Sequence, residues 1–256
     1  MNAIPDAQAV RRELARHAPH LADHARERLV QLYSEPLLPS TLGPEPVAID
    51  PKVRISIAEG AALARLVREN GVRSSIEIGL AYGFSTVWLL EALSGQEGAR
   101  HIAIDPFEEI EWAGIGLKQA ELMESGVDFR WIGESSALAL PALIREGVQA
   151  DFVFIDSRHV FDETLVEFFL ADKLLRVGGL LALDDQWMPS MQAVTNYILA
   201  DRAYTRVPHP VRNLCVLRKL GEDERSWDHF RPFRTSSRHP LDMARRVKRR
   251  WLTRRG

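Results

Sequence analysis

Ser75-Ile76-Glu77-Ile78-Gly79-Leu80-Ala81-Tyr82-Gly83-Phe84-Ser85 is the stretch on which the fold turns: a short apolar run passes through two glycines into a helical pattern. Gly79 and Gly83 let the backbone turn tightly and approach a ligand, and Ser85 is placed to cap the helix that follows. The spacing reads E-x-G-x-x-x-G, not the G-x-G-x-x-G of a dinucleotide turn. An acid two residues before the first glycine suits a cationic or amino-bearing ligand better than a pyrophosphate. The same glycines also serve any tight strand-to-helix turn.

Working outward, short β-branched runs at 75–79, 100–105, 128–132, 151–155 and 179–183 alternate with helical stretches near 84–94, 115–125, 136–146, 161–176 and 190–200. That alternation marks successive βαβ units and a parallel sheet. Segments 202–207 and 212–218 are too close for a crossover helix, so the sheet is predicted to end in an antiparallel strand. The expected fold is therefore α/β, a Rossmann-like three-layer sandwich. Its sheet is mostly parallel and seven-stranded with one antiparallel strand, and N-terminal helices are added. Residues 7–33 keep helical spacing, Pro36, Pro39, Pro44, Pro46 and Pro51 mark an extended linker, and a helix over 55–67 stops at Asn70-Gly71. Three parts are predicted: a helical and Pro-rich extension over 1–51, a ligand-binding domain over 52–220 and a basic tail over 221–256.

The 256 residues are 46% hydrophobic and 27% charged, enough to bury a large core, which excludes disorder, collagen-like repeats and a coiled coil. No window approaches the ~18 apolar residues of a membrane span, and MNAIPDAQAVRREL lacks a signal-peptide core, so the expected location is cytoplasmic. The lone Cys215, in NLCVLRK, reads as a buried strand thiol. Residues 236–256 hold eight Arg or Lys and one acid, leaving 25 basic and 34 acidic residues elsewhere. The near-neutral total of −2 thus cancels a body of −9 against a basic tail.

In open α/β sheets, ligands bind beyond the carboxyl ends of the strands. Asp105-Pro106 ends the second strand 26 residues after Gly79, where a carboxylate accepts from both hydroxyls of a ribose or simply opens a Pro turn. Gly133-Glu134-Ser135-Ser136 follows the third, and either serine is a natural N-cap. Asp156-Ser157-Arg158-His159 follows the fourth and Asp184-Asp185 the fifth. Three carboxylates at one sheet edge repel unless a cation, a proton or a basic side chain compensates, and hard oxygen donors suit Mg²⁺ or Ca²⁺. His159 is the candidate general base, since its unperturbed pKa lies near operating pH. A loop histidine at the surface and an Asp pair capping a helix near Pro189 are the plainer readings of these residues.

SIEIGLAYGFST, HIAIDPF, DFVFIDSRHVFD and LLRVGGLLALDD, in that order, resemble a class I S-adenosylmethionine-dependent methyltransferase over roughly residues 52–218. The chain is most similar to small-molecule O-methyltransferases of the catechol and caffeoyl-CoA type. The resemblance implies that Glu77, Gly79, Ala81, Tyr82, Gly83 and Ser85 form the loop around the methionine and ribose of S-adenosylmethionine. It implies that Asp105 takes the ribose hydroxyls, that Phe107 flanks the adenine and that Glu134 and Ser135 contact the adenine side. It also implies that Asp156 borders the cofactor, and in metal-dependent members positions equivalent to Asp156, Asp184 and Asp185 hold a divalent ion such as Mg²⁺. His159 stands where catechol-type enzymes carry a lysine base, and Ser157 replaces a glycine common in bacterial relatives.

The implied reaction is in-line methyl transfer to a hydroxyl of a vicinal diol, catechol or sugar, with Mg²⁺ acidifying the hydroxyl and His159 or Asp156 assisting proton removal. The alternatives are a metal-independent methyltransferase using His159 as base, or an RNA- or membrane-surface-associated binding protein. The latter would use Leu241, Ala244, Val247 and Trp251 on one face among arginines of the tail. A small-molecule acceptor is the favoured partner, ahead of nucleic acid or an anionic membrane. The N-terminal extension is a candidate to cover the crevice or to form a homodimer contact. Trp112 and Trp187 are candidates to wall the acceptor site.

Overall fold

The computed structural model describes residues 4–235, so the basic tail over 236–256 lies outside the described residues. Helix α1 (Ala7–His17) starts at Asp6, whose Oδ1 accepts from the Ala9 amide at 2.7 Å, and α2 (Asp23–Ser34) follows. The helical spacing over 7–33 is thus two helices rather than one. The break falls at Ala18-Pro19: the residue before a proline is pushed out of helical geometry, and Ala18 has φ −142° and ψ 62°. Within the Pro-rich stretch, β1 (Leu37–Leu38) and β2 (Val47–Ala48) form a small antiparallel pair that the prolines conceal in the sequence. Helix α3 (Ile57–Glu69) opens on a capping box in which Ser56 and Glu59 satisfy each other's backbone amides, and it ends before Gly71 at φ +58°.

The chain then alternates through β3 (Ser74–Ile78), α4 (Phe84–Leu93), β4 (Arg100–Ile104), α5 (Ile115–Leu122), β5 (Asp128–Ile132), α6 (Ser136–Arg145) and β6 (Ala150–Ile155). It continues through α7 (Phe161–Leu174), β7 (Leu175–Leu183), α8 (Pro189–Asp201), β8 (Tyr204–Arg206) and β9 (Cys215–Lys219). The seven-stranded sheet has the order β5-β4-β3-β6-β7-β9-β8. Strand β9 runs antiparallel to both neighbours, so the antiparallel strand lies one place inside the edge that β8 forms. Strand β7 begins at Leu175, earlier than the run at 179, because a register shift against β6 between Ala150 and Phe152 accommodates Gly178-Gly179.

Strand periodicity sorts the core into two layers. On one face Phe152, Phe154, Leu180 and Ala182 pack with residues of α1 to α5. On the other, Ile76, Ile78, Val153 and Ile155 pack with α6, α7 and α8. The N-terminal helices share the first core: Val10, Leu14, Leu29 and Leu32 are all nearly inaccessible there. Cys215 is buried in the second core. Among the described residues, no helix is long and apolar enough to cross a membrane.

Candidate active site

At the carboxyl end of the sheet, the loop after β3 is held by its neighbours. The Gly79 amide donates to the Ile104 carbonyl at 2.9 Å, and the Asp156 amide donates to the Ile78 carbonyl at 2.9 Å. Gly79 has φ +100°, and a Cβ there would lie 2.1 Å from the Asp156 carbonyl oxygen. Only glycine lets the two loops approach this closely. Asp105 then clamps the turn: Oδ2 accepts from the Leu80 and Ala81 amides at 3.0 and 2.9 Å, and Oδ1 from the Phe107 amide at 2.8 Å. The carboxylate keeps further lone pairs, so backbone clamping and ribose binding are compatible.

These loops surround a cavity of about 770 Å³. Of the residues assigned to the cofactor by resemblance, Gly79, Ala81, Tyr82, Ser85, Asp105, Phe107 and Ser135 line it. Asp156, His159, Asp184 and Asp185 line it as well. Glu77, Gly83 and Glu134 do not appear on that wall. Glu77 is fully buried behind it, Gly83 packs against Gly116, and Glu134 is exposed. Trp112 lines the cavity edge-on to Tyr82 with ring centroids 5.2 Å apart, whereas Trp187 is 68% exposed.

The acids do converge, with His159 among them. Its Nε2 lies 3.2 Å from Asp156 Oδ1 and 3.7 Å from Asp185 Oδ2. Ala81, His159 and Asp185 adopt positive φ of 46°, 57° and 51°, a left-handed geometry that costs non-glycine residues energy and here sits on the cavity wall. Burial pushes the Asp156 carboxyl up, against the pull of His159. Burial alone would lower His159, but the carboxylates of Asp156 and Asp185 outweigh it and hold the imidazole above its ordinary value. Burial, reinforced by Asp156 and Glu59, pushes Asp184 up to about 9.

Asn213, just before β9, is a site residue that no spacing in the sequence signals. Its Nδ2 donates to Glu59 Oε1 at 2.8 Å, Asp184 Oδ1 at 3.1 Å and Asp185 Oδ1 at 3.2 Å. Glu167 is another: buried in the cavity wall, it accepts from the Ser136 and Ser157 hydroxyls at 2.8 and 2.7 Å. Lys52 and Arg54 line the cavity as well, bringing the linker into the site.

The structure does not show the expected ion site at Asp156, Asp184 and Asp185. Among the described residues, no group of three or more His, Cys, Asp or Glu side chains is placed to hold a metal ion. The physical reason is that an amide N–H of Asn213 faces Asp184 and Asp185, while His159 stands against Asp156 and Asp185. An amide and an imidazole thus face the acids as they stand.

The site thus sits at one edge of a doubly wound sheet, where a glycine loop, a strand-end Asp and an acidic crevice meet. Residues 76–186 match a family described as a methyltransferase domain. It is 31% identical over 140 residues to a protein of Arabidopsis thaliana named as a caffeoyl-CoA O-methyltransferase, an alignment covering 52% of this chain and 55% of that protein. The chain thus spans about half the length of that relative. It is 25% identical over 208 residues to a catechol O-methyltransferase of Mycobacterium tuberculosis, covering 77% of this chain and 87% of the relative. The structure of a Podospora anserina methyltransferase with S-adenosylhomocysteine bound has the same fold at a TM-score of 0.61 and 14% identity, covering 86% of this chain and all of that one.

Proposed function

We propose that this chain transfers a methyl group from S-adenosylmethionine to a hydroxyl oxygen of a small molecule. The observation that carries the reading is one cavity shared by the Gly79 loop, Asp105 and the His159–Asp156 pair. Asp105 and Ser135 bind the nucleoside, with Gly79, Ala81, Tyr82 and Ser85 around the amino-acid end. The sulfonium is already reactive, so the protein's part is alignment and removal of the hydroxyl proton. His159 accepts that proton on its other ring nitrogen, Nδ1, once it is neutral, with Asp156 holding the ring through Nε2 and stabilising the imidazolium that forms. Residues 52–220 form the catalytic unit, and the linker residues Lys52 and Arg54 border the acceptor. The names of the two sequence relatives support oxygen as the acceptor atom.

The test is incubation with methyl-labelled S-adenosylmethionine and a panel of catechols, vicinal diols and sugars, each run with a chelator and with added Mg²⁺. Label in an ether product supports the reading, and comparison of the two conditions tells whether a divalent ion takes part. Label on nitrogen or carbon acceptors only, or no binding of S-adenosylhomocysteine, sinks it.

A further inference from the structure

The last described residues lead towards the mouth of the cavity. His229 Nε2 lies 3.3 Å from Asp201 Oδ1 at the end of α8, and the Arg231 amide donates to the same oxygen at 3.0 Å. Phe233 then meets the Tyr197 ring edge-on with centroids 5.4 Å apart, and the Arg234 carbonyl accepts from Asn196 Nδ2 at 3.0 Å. The segment thus runs antiparallel to α8, towards Pro189 and the loop that carries Asp185. Asn196 and Pro189 are about 10 Å apart along the helix axis, a distance that roughly four extended residues cover. Residue 238 therefore comes within reach of that loop.

Large apolar side chains stand in solvent around the same mouth. Trp187 is 68% exposed while its indole N–H donates to Oδ1 of the cavity-lining Asp185 at 2.8 Å. Val166, in the cavity wall, is 47% exposed, and Val160, next to His159, is 41% exposed. Apolar surface gathered at one place marks a site that a partner covers. The cavity wall holds seven acids against three Lys or Arg, so the partner that fits is cationic as well as apolar. Residues 236–256, outside the described residues, have that combination in their sequence: eight Arg or Lys with one acid, and Leu241, Ala244, Val247 and Trp251 at the spacing of one helical face after Pro240.

We propose that residues 238–256 dock across the mouth of the cavity, with Leu241, Val247 and Trp251 against Val160, Val166 and Trp187 and the arginines over the acidic wall. A helix over 240–255 is about 24 Å long, enough to cross the opening. The chain's own tail is favoured over an outside partner because its attachment at Thr235 holds it near the mouth at an effective concentration of about millimolar. The charges of −9 on the body and of the basic tail then meet within one molecule. Nothing in this inference depends on the identity of the methyl donor.

The experiment places a photoreactive side chain in the full chain as Trp251→p-benzoylphenylalanine and maps the cross-link after irradiation and trypsin digestion. An intramolecular cross-link is expected into the tryptic peptides 159–173, which carries Val160 and Val166, or 177–202, which carries Trp187. Adding Val166→Ser and Trp187→Ser, both at exposed positions, is expected to cut the yield about tenfold or more, since burying one side chain of this size is worth that much. Salt at ~1 M is expected to lower the yield in the unaltered background by screening the arginines. A cross-link into any other peptide, a cross-link between two copies of the chain, or no cross-link overturns the proposal. So does co-sedimentation of the chain with phosphatidylserine vesicles in place of the intramolecular cross-link, which would assign the tail to a membrane surface.

Discussion

His159 Nε2 lies 3.2 Å from Asp156 Oδ1, three residues away in the chain, which makes the imidazole and the carboxylate one hydrogen-bonded unit on the cavity wall. Asp185 adds a second negative charge at 3.7 Å. The pair favours the imidazolium, whereas a general base has to be neutral before it acts. The rate is therefore expected to rise with pH along a limb displaced above the ordinary histidine value of 6.5. Asp185→Asn moves that limb towards lower pH, and His159→Gln lowers kcat by ~10²- to 10⁴-fold while leaving S-adenosylhomocysteine affinity nearly unchanged. A kcat/KM profile that is flat across pH 6 to 9 counts against His159 as the base.

Gly79→Ala places a methyl 2.1 Å from the Asp156 carbonyl oxygen at φ +100°. The backbone conformation alone costs about 1–3 kcal/mol, and the clash forces the loops after β3 and β6 apart. A lowered Tm and loss of S-adenosylhomocysteine binding are expected. Wild-type values for both would show that the close approach is dispensable.

Glu108 follows the Asp105 turn, is fully buried and accepts from the Leu117 amide at 3.0 Å, while its Oε2 has no partner. Burial pushes its carboxyl up to about 7. A folded value above the unfolded one means the fold binds the proton more tightly, so the contribution of Glu108 to stability is greatest below pH ~4.5 and declines as pH rises towards 7. The loss is at most about 3 kcal/mol. Glu108→Gln keeps the acceptor and removes the titration, so urea unfolding between pH 5 and 8 should show a shallower decline than wild type. Parallel declines would assign the pH dependence elsewhere.

Asn213→Ala removes the one amide that faces Glu59, Asp184 and Asp185 together. Unmasking three acids is expected to destabilise the chain by about 1–3 kcal/mol and to lower kcat more than it raises KM for the methyl donor. Asn213→Asp, which adds a fourth carboxylate, should be worse than alanine. An Asp variant as active as wild type would mean that the acids are not held by this amide.

Most of the sheet was legible because central strands are buried on both faces and read as short apolar runs such as Phe152 to Ile155. Asp105, Asp156 and Asp184-Asp185 were legible for the related reason that ligands sit where such runs end. The break at Pro19, the early start of β7 and the β1–β2 pair were not, since each depends on a local backbone compromise rather than on periodicity. Asn213 and Glu59 are 154 residues apart and meet only because β9 inserts beside β7.

The sequence by itself determined the class of fold, the order of its elements and the strand ends at which chemistry gathers, because these follow from hydrophobic period and glycine placement. Only the tertiary structure decided what neutralises the gathered acids. Charge compensation depends on distances of 3 to 4 Å between side chains from separate loops, as where His159 meets Asp156 and Asp185 and Asn213 meets Asp184. It likewise set Glu77 behind the cavity wall, joined to His101 on the neighbouring strand.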